Sequence, residues 1–176
     1  AAARPGETLV FSFAGHGLTG PDGRFYMATS NTDPSAVADT AMSWDALAAV
    51  LVKAKGRVVV FLDACHSGVA GTGLLATNDQ AVDGMMQGIP SGLVVFSASK
   101  GREFSEEAAS LGGGVFTNAV ADVIARDRDR HDLDGNGAIE VSELYAGVKR
   151  QVSERTEGRQ VPWLARNEMV GDFALF

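Results

Sequence analysis

The sequence predicts an α/β fold with a largely parallel sheet, because apolar strands and helical segments alternate along the chain. Three short apolar runs have the composition of buried strands, and each gives way to glycine or small polar residues. The segments between and after them repeat apolar residues at helical spacing. The 176 residues fit one domain, so we expect residues 1–176 to fold as a single unit.

The predicted strands lie in the first hundred residues. Thr8 to Ala14 is the first, and it runs into Gly15-His16-Gly17. Ser43 can cap a helix that continues to Ala54. The second strand is Arg57 to Asp63 and the third is Gly92 to Ala98. All three are apolar enough to be covered on both faces.

The second half of the chain is predicted to be mainly helical. Helical periodicity spans Val115 to Arg126 and Val141 to Val152. Val161 to Arg166 and Phe173 to Phe176 are predicted as short strands. The glycine-rich stretch Val69 to Gly92 is predicted to be a long loop, and loops of that length are usually functional or mobile.

The charge of the chain restricts its partners. Fifteen basic and 22 acidic residues give a formal net charge of -7, which disfavours nucleic acid and anionic membranes. No apolar run approaches the roughly 18 residues of a membrane span, and the first residues do not form a signal peptide. We therefore expect a soluble, cytoplasmic protein that binds neither nucleic acid nor membrane.

The chemistry is predicted from one thiol and one imidazole. Cys65 is the only cysteine, so it forms neither an internal disulfide nor a thiolate zinc cluster. It follows the second strand, and His16 follows the first, so the two can meet at one sheet edge if those strands are neighbours. They would then act as nucleophile and base of an acyl transfer, with the amides of Gly17 and Cys65 as oxyanion donors. The alternative is an inert cysteine beside a structural histidine.

The segments around these residues resemble motifs of the caspase-like peptidases. They are Phe13-Ala-Gly-His-Gly17 and Leu62-Asp-Ala-Cys-His-Ser-Gly68, and the second is similar to the form found in metacaspases. Phe96-Ser-Ala-Ser99, the Gly-Gly-Val-Phe-Thr run ending at Thr117, and Gln160-Val-Pro162 resemble later landmarks of bacterial members. The resemblance implies a three-layer caspase-like fold and a cysteine endopeptidase that uses a His16 and Cys65 dyad, helped by the Gly17 amide.

Specificity is predicted from Asp63, which stands where caspases carry a glutamine and favour cleavage after aspartate. A carboxylate repels an acidic substrate side chain and pairs with a basic one, so we expect cleavage after arginine or lysine. Asp63 has a second possible role, as a cap of the strand end. Ala14 stands where metacaspases often have serine, and Ser97 completes the predicted substrate-binding set.

The resemblance also implies that a region is missing. Caspase-like domains begin with strands and helices before the histidine strand, and a further acidic pocket residue of metacaspases comes from them. We therefore expect this chain to be the carboxyl-terminal portion of a processed or split enzyme that associates with a missing N-terminal fragment. No lysine or arginine lies between Arg57 and Lys100, so the predicted loop cannot be cut by an enzyme that cleaves after basic residues.

Residues 132–143 match the twelve-position calcium loop of EF-hands, here without a second loop as partner. The predicted ligands are the side chains of Asp132, Asp134, Asn136 and Glu143 and the carbonyl of Ala138. Gly137 makes the sharp turn, and Ile139 anchors the loop to the core or to another loop. The alternative is a metal-free acidic turn that caps the following helix through Ser142 or Asp134. Magnesium is disfavoured because the loop offers many protein oxygens.

Two functions from different classes follow from these residues. The preferred one is a calcium-modulated, proteolytically processed cysteine endopeptidase that acts on proteins. The other is a catalytically silent caspase-like module that binds calcium and partners. The presence of Cys65, His16 and the flanking glycines favours the enzyme.

Overall fold

The structure is a computed structural model that describes residues 4, 6–64, 75–88, 92–99, 107–108, 113–166 and 172–176. Its strands are β1 (Thr8–Gly15), β2 (Gly17–Thr19), β3 (Phe25–Met27), β4 (Met42–Ser43), β5 (Arg57–Ala64), β6 (Leu93–Ser97), β7 (Glu107–Ala108), β8 (Gly113–Gly114) and β9 (Trp163–Arg166). Its α-helices are α1 (Val37–Thr40), α2 (Trp44–Leu51), α3 (Asn78–Gly88), α4 (Val115–Ala121), α5 (Arg128–His131) and α6 (Val141–Arg155). A π-helical turn, Asp122–Arg126, extends α4.

The central sheet confirms the predicted α/β class. Among the described strands its order is β1-β5-β6-β9, with β1, β5 and β6 parallel and β9 antiparallel. Helices cover both faces of β5 and β6, which gives the three-layer arrangement. These two strands are buried throughout except at Arg57, as their apolar composition predicts.

One face of the sheet packs against α2 and α3. Trp44 and Leu51 of α2 and Met85 of α3 are buried there against alternate residues of β5. Ser43 caps α2, accepting a hydrogen bond from the amide of Ala46 at 3.4 Å, as predicted. The helix ends at Leu51, a turn earlier than Ala54.

The other face packs against α4 and α6. Phe61 of β5 and Phe96 of β6 stack at 5.0 Å between ring centroids. Phe116 of α4 and the apolar stripe of α6 bury them. That stripe consists of Val141, Leu144, Val148 and Val152. Residues 132–143, here called the calcium-type loop, lead into α6. This layer therefore connects the calcium-type loop to the sheet.

The stretch predicted as the long loop Val69 to Gly92 contains helix α3 in its described part, so the prediction was wrong over Asn78–Gly88. The helix begins at a reciprocal cap. The amide of Gln80 donates to Thr77 Oγ1 at 3.2 Å, and the amide of Thr77 donates to Gln80 Oε1 at 2.9 Å. Ala81, Val82 and Met85 then face the core.

The prediction for β1 was wrong in one respect, because within the described part of the chain only one of its faces is covered. Leu9, Phe11 and Phe13 pack against the α2 side of the sheet. Val10, Ser12 and Ala14 point the other way and are exposed, Val10 to 43%. The described helices α4 and α6 pack on β5 and β6.

Two further features complete the fold. The small antiparallel sheet β2-β3-β4, which the sequence analysis did not predict, lies between β1 and α2. The predicted strand Phe173 to Phe176 is reduced to one bridge between Ala174 and Glu140. No helix within the described residues has both the length and the apolar character needed to cross a bilayer.

Candidate active site and calcium-type loop

The two predicted catalytic segments leave the sheet at the same level. β1 and β5 are neighbours in parallel register, with Ala14 opposite Asp63 and Gly15 opposite Ala64. His16 follows Gly15 directly and is exposed at the carboxyl edge of the sheet. The predicted nucleophile Cys65 follows Ala64, but it lies outside the described residues. Its contact with His16 therefore stays a prediction.

The turn after β1 fixes the backbone around His16. The His16 carbonyl accepts a hydrogen bond from the amide of Ala28 at 2.9 Å, which starts the β2-β3 ladder. Gly17 is buried beneath this turn, and a Cβ there would approach the Phe25 ring to 2.6 Å. Glycine is therefore required at this position by close packing.

The position of Gly17 in the ladder directs its amide away from β3. The bond from Ala28 to His16 makes Gly17 and Met27 a non-hydrogen-bonded pair of the antiparallel ladder. The Gly17 carbonyl accepts from the amide of Ala76 at 3.1 Å. Its N–H is not used by the β2-β3 ladder, which is what an oxyanion donor requires.

The carboxylate of Asp63 is buried and held from α4. It lies on the α4 face of β5 and is 3% exposed. Thr117 Oγ1 donates a hydrogen bond of 2.6 Å to Asp63 Oδ2. A Cβ on Gly114, at the N-terminus of α4, would collide with the same oxygen. Asp63 is thus positioned by the Thr117 hydroxyl and by the space beside Gly114, which carries no side chain.

The other two predicted substrate-binding residues differ in exposure. Ala14 is exposed on the open face of β1, level with Asp63. Ser97 is fully buried at the end of β6, and its hydroxyl donates to the carbonyl of Ser99 at 3.1 Å. Their contact with substrate stays a prediction.

The positioning roles of Thr117 and Gly114 were not predicted from the sequence. Thr117 closes a run that the family resemblance had singled out, but without a role. It is 54 residues from Asp63 in sequence, and no local pattern connects two positions so far apart.

A sequence profile of the caspase domain matches residues 1–174. The chain belongs to the caspase-domain family. Caspase domains are cysteine peptidase domains, and their substrates are proteins. The comparison with curated proteins finds no match.

A second candidate site in this caspase domain is a cluster of acidic side chains in the loop before α6. Carboxylate oxygens of Asp132, Asp134 and Glu143 all lie within 4.8 Å of one another. Gly135 and Gly137 have φ of 72° and 81°, the left-handed conformation that lets the loop curl around this point. The predicted ligand side chains therefore converge from both ends of the loop.

Backbone amides already orient these carboxylates. The amides of Asn136 and Gly137 donate to the two oxygens of Asp132 at 3.0 and 2.8 Å. The amide of Leu133 donates to Glu143 Oε1 at 2.6 Å. Asn136, the predicted fifth-position ligand, uses its side-chain oxygen to accept from the amide of Ala138 at 2.8 Å.

The residues that cap the N-terminus of α6 are not those that the metal-free alternative predicts. Glu140 is the N-cap and forms a capping box with Glu143, whose Oε2 accepts from the Glu140 amide at 3.1 Å. The metal-free alternative had the cap at Ser142 or Asp134, and on this point that alternative is wrong. Burial raises the pKa of Glu143, but hydrogen bonds from Glu140 and from backbone amides lower that pKa by more. Its carboxylate is therefore charged at neutral pH, as a cation ligand must be.

Proposed function

We propose that this caspase domain is a cysteine endopeptidase of the metacaspase type that cleaves proteins after arginine or lysine. Family membership supplies the reaction class. The residue assignment is supported by the register that pairs Gly15 with Ala64. Consecutive Cα atoms lie about 3.8 Å apart and neighbouring strands about 4.8 Å apart. His16 and Cys65 each come directly after one member of the pair of Gly15 and Ala64, which supports assigning both to one site.

The proposed reaction uses each of these groups in turn. The Cys65 thiolate attacks the scissile carbonyl carbon, and the Gly17 amide donates to the oxygen that becomes negative. The carbon–nitrogen bond breaks as His16 gives its proton to the leaving amine. Water, deprotonated by His16, then attacks the thioester carbon, and the sulfur leaves as the thiolate.

The proposed specificity rests on Asp63. Its buried carboxylate lies two residues before the nucleophile, and a buried carboxylate attracts a basic side chain strongly because the local dielectric is low. Thr117 and Gly114 keep it in one orientation. Arginine can form two parallel hydrogen bonds to a carboxylate, whereas lysine forms a single point contact.

Calcium is the proposed ligand of residues 132–143. The loop supplies carboxylates from both ends, left-handed glycines at its turn, and a glutamate in the first turn of the following helix, which are oxygen ligands of the type that calcium takes. Asp132, Asp134, Asn136 and Glu143 would hold the ion with their side chains, and Ala138 with its carbonyl. The bound ion would neutralise the mutual repulsion of these carboxylates.

A protein partner is proposed at β1. Among the described strands β1 is at the edge of the central sheet, and its α4-side face is exposed at Val10, Ser12 and Ala14. An open sheet edge can pair with an added strand. The proposed occupant is an N-terminal fragment of the same enzyme, released by processing and retained as an additional strand. A cytoplasmic location stays a prediction from the sequence.

The test of the peptidase is hydrolysis of fluorogenic peptides with arginine, lysine or aspartate before the reporter. We expect cleavage of the two basic peptides by the wild-type chain and none by Cys65→Ala or His16→Gln. A rate that Cys65→Ala leaves unchanged would refute the dyad. Preferential cleavage after aspartate would instead refute the role of Asp63 alone. Calcium binding without any hydrolysis would support the silent binding module.

A further inference from the structure

Residues 172–176, here called the closing segment, run antiparallel to the calcium-type loop. The amide of Ile139 donates to the carbonyl of Phe176 at 2.9 Å, and the amide of Leu175 donates to the carbonyl of Ile139 at 2.8 Å. The amide of Val141 donates to the carbonyl of Phe173 at 3.1 Å. Three backbone hydrogen bonds thus hold the loop at the point where it passes into α6.

The closing segment is also anchored by side chains. Phe173 is 8% exposed and belongs to the core beneath α6, and Leu175 packs against the same core. The guanidinium carbon of Arg57, at the start of β5, lies 4.4 Å from the centroid of the Phe173 ring. The segment therefore joins the loop to the strand that leads to Asp63.

An additional carboxylate comes from the same segment. The oxygens of Asp172 both lie 3.2 Å from the amide of Ser142, in the first turn of α6. Asp172 also lines a cleft of about 710 Å³ together with Asp134, Glu140 and Glu143. The closing segment thus forms one wall of the cleft that Asp134, Glu140 and Glu143 also line.

We propose that docking of the closing segment on the loop and binding of calcium by the loop strengthen each other. This inference rests on the proposed binding of calcium at residues 132–143. Docking fixes the backbone from Ile139 to Val141, which lies between the carbonyl ligand Ala138 and the bidentate ligand Glu143. Calcium loops usually occur in pairs that support each other, and in this chain the closing segment takes the place of the second loop.

The physical basis is preorganisation. A loop whose backbone is already held loses less conformational freedom when it closes around an ion, so its affinity is higher. Linkage requires the reverse effect to be equal, so calcium must increase the docking equilibrium of the closing segment by the same factor. Both halves of this statement can be measured without any peptidase assay.

The first experiment compares Leu175→Pro with Leu175→Ala by calorimetric calcium titration. Both variants lose the leucine side chain, but only proline removes the N–H that donates to Ile139. We expect Leu175→Pro to bind calcium about tenfold more weakly than Leu175→Ala, within the usual range of coupling between sites. Equal dissociation constants would overturn the proposal. Circular dichroism before each titration verifies that both variants are folded.

The second experiment uses the unaltered chain, so it does not depend on the folding of a variant. Hydrogen exchange is measured at the amides of Ile139, Val141 and Leu175 with calcium and with chelator. We expect calcium to slow all three, and unchanged Leu175 exchange in a calcium-bound chain would refute the coupling. If the wild-type chain binds no calcium, the proposed calcium site itself is refuted, which is a different result from binding without coupling.

Discussion

At the scale of single residues, the determining feature is how Asp63 is held. A carboxylate that is 3% exposed has lost most of its hydration, so its orientation depends on the few groups that touch it. Thr117 provides a hydroxyl at 2.6 Å, and Gly114 provides space. Both come from the N-terminal end of α4, so this helix end controls the proposed specificity residue.

Thr117→Val tests the hydroxyl. The substitution keeps the shape of the side chain but removes the donor, and a hydrogen bond to a charged group contributes about 1.5–3 kcal/mol. We expect the free energy of unfolding to fall by about that amount, and kcat/KM for the arginine peptide to fall about tenfold, mainly through KM. Urea unfolding and steady-state kinetics measure the two effects. Thr117→Ser keeps the donor and should remain close to wild type; equal losses in both variants would contradict the role of the hydroxyl.

Gly114→Ala tests whether the Asp63 carboxylate needs the space beside Gly114. The new Cβ would meet the Asp63 carboxylate, and overpacking of this kind costs about 1–3 kcal/mol. Gly113→Ala is the matched control, because among the described residues a Cβ there would meet Asn118 Nδ2 at an ordinary 3.7 Å. We expect Gly114→Ala to lower both the unfolding midpoint in urea and the rate on the arginine peptide. Equal behaviour of the two alanine variants would show that Asp63 is not constrained by Gly114.

At the scale of elements, helix α6 joins the calcium-type loop to the core. Its capping box uses Glu143, which is also the proposed twelfth ligand, so one side chain serves both the helix start and the ion. Its apolar stripe then packs on α4, the helix that holds Asp63. An ion that stiffens the start of α6 therefore acts on a helix in direct contact with the one that shapes the proposed pocket.

Glu143→Gln separates these two roles. Glutamine keeps one acceptor oxygen where Glu143 uses two, for the amides of Leu133 and Glu140, so without calcium we expect the free energy of unfolding to fall by about 1 kcal/mol. For the wild type, calcium at a hundred times its dissociation constant should add about 2.7 kcal/mol, and for Glu143→Gln this increment should disappear. Thermal unfolding with calcium and with chelator measures it. Glu154→Gln, at an exposed position of the same helix, should keep the full increment. An increment retained by Glu143→Gln would exclude this carboxylate as a ligand.

Elements were predictable from sequence where they are long and strongly patterned. The strands β1, β5 and β6 and the helices α2, α4 and α6 were predicted within a few residues, because buried strands and amphipathic helices leave clear signals. Helix α3 was missed because glycines and polar residues dilute its apolar stripe, although the cap formed by Thr77 and Gln80 is visible in the sequence. The strands β2 to β4 are too short to carry a period.

The site was predictable only in part, for a related reason. The motifs around His16 and Asp63 are local, and the order of the strands then follows from the rules of parallel sheets. The contact between Asp63 and Thr117, and the docking of residues 172–176 on the loop, depend on packing between distant parts of the chain. Such contacts leave no periodic signal in a single sequence.

At the scale of the whole molecule, the sheet is asymmetric. Its β9 side is antiparallel and close to the helices, whereas β1 is an edge among the described strands and has one exposed face. An edge with apolar residues such as Val10, which is 43% exposed, favours pairing with another chain. The asymmetry supports the proposal that an N-terminal fragment completes the sheet.

Val10→Lys tests this edge. A lysine on an exposed strand face opposes pairing, whereas it should change the free energy of unfolding by no more than about 0.5 kcal/mol. Val50→Lys, at a valine of α2 that is 61% exposed, makes the same change of charge away from the sheet. In sedimentation velocity, we expect Val10→Lys alone to reduce association with a synthetic N-terminal fragment or with a second copy of the chain. A similar reduction by both variants would attribute the effect to net charge.

The register between β1 and β5 also limits how this protein can change. Side chains on a strand alternate between faces, so losing a single residue from β1 would rotate Leu9, Phe11 and Phe13 into solvent and turn His16 away from its partner strand. Insertions and deletions within the strand are therefore tolerated only in twos. The number of residues between Thr8 and His16 can therefore change only in steps of two.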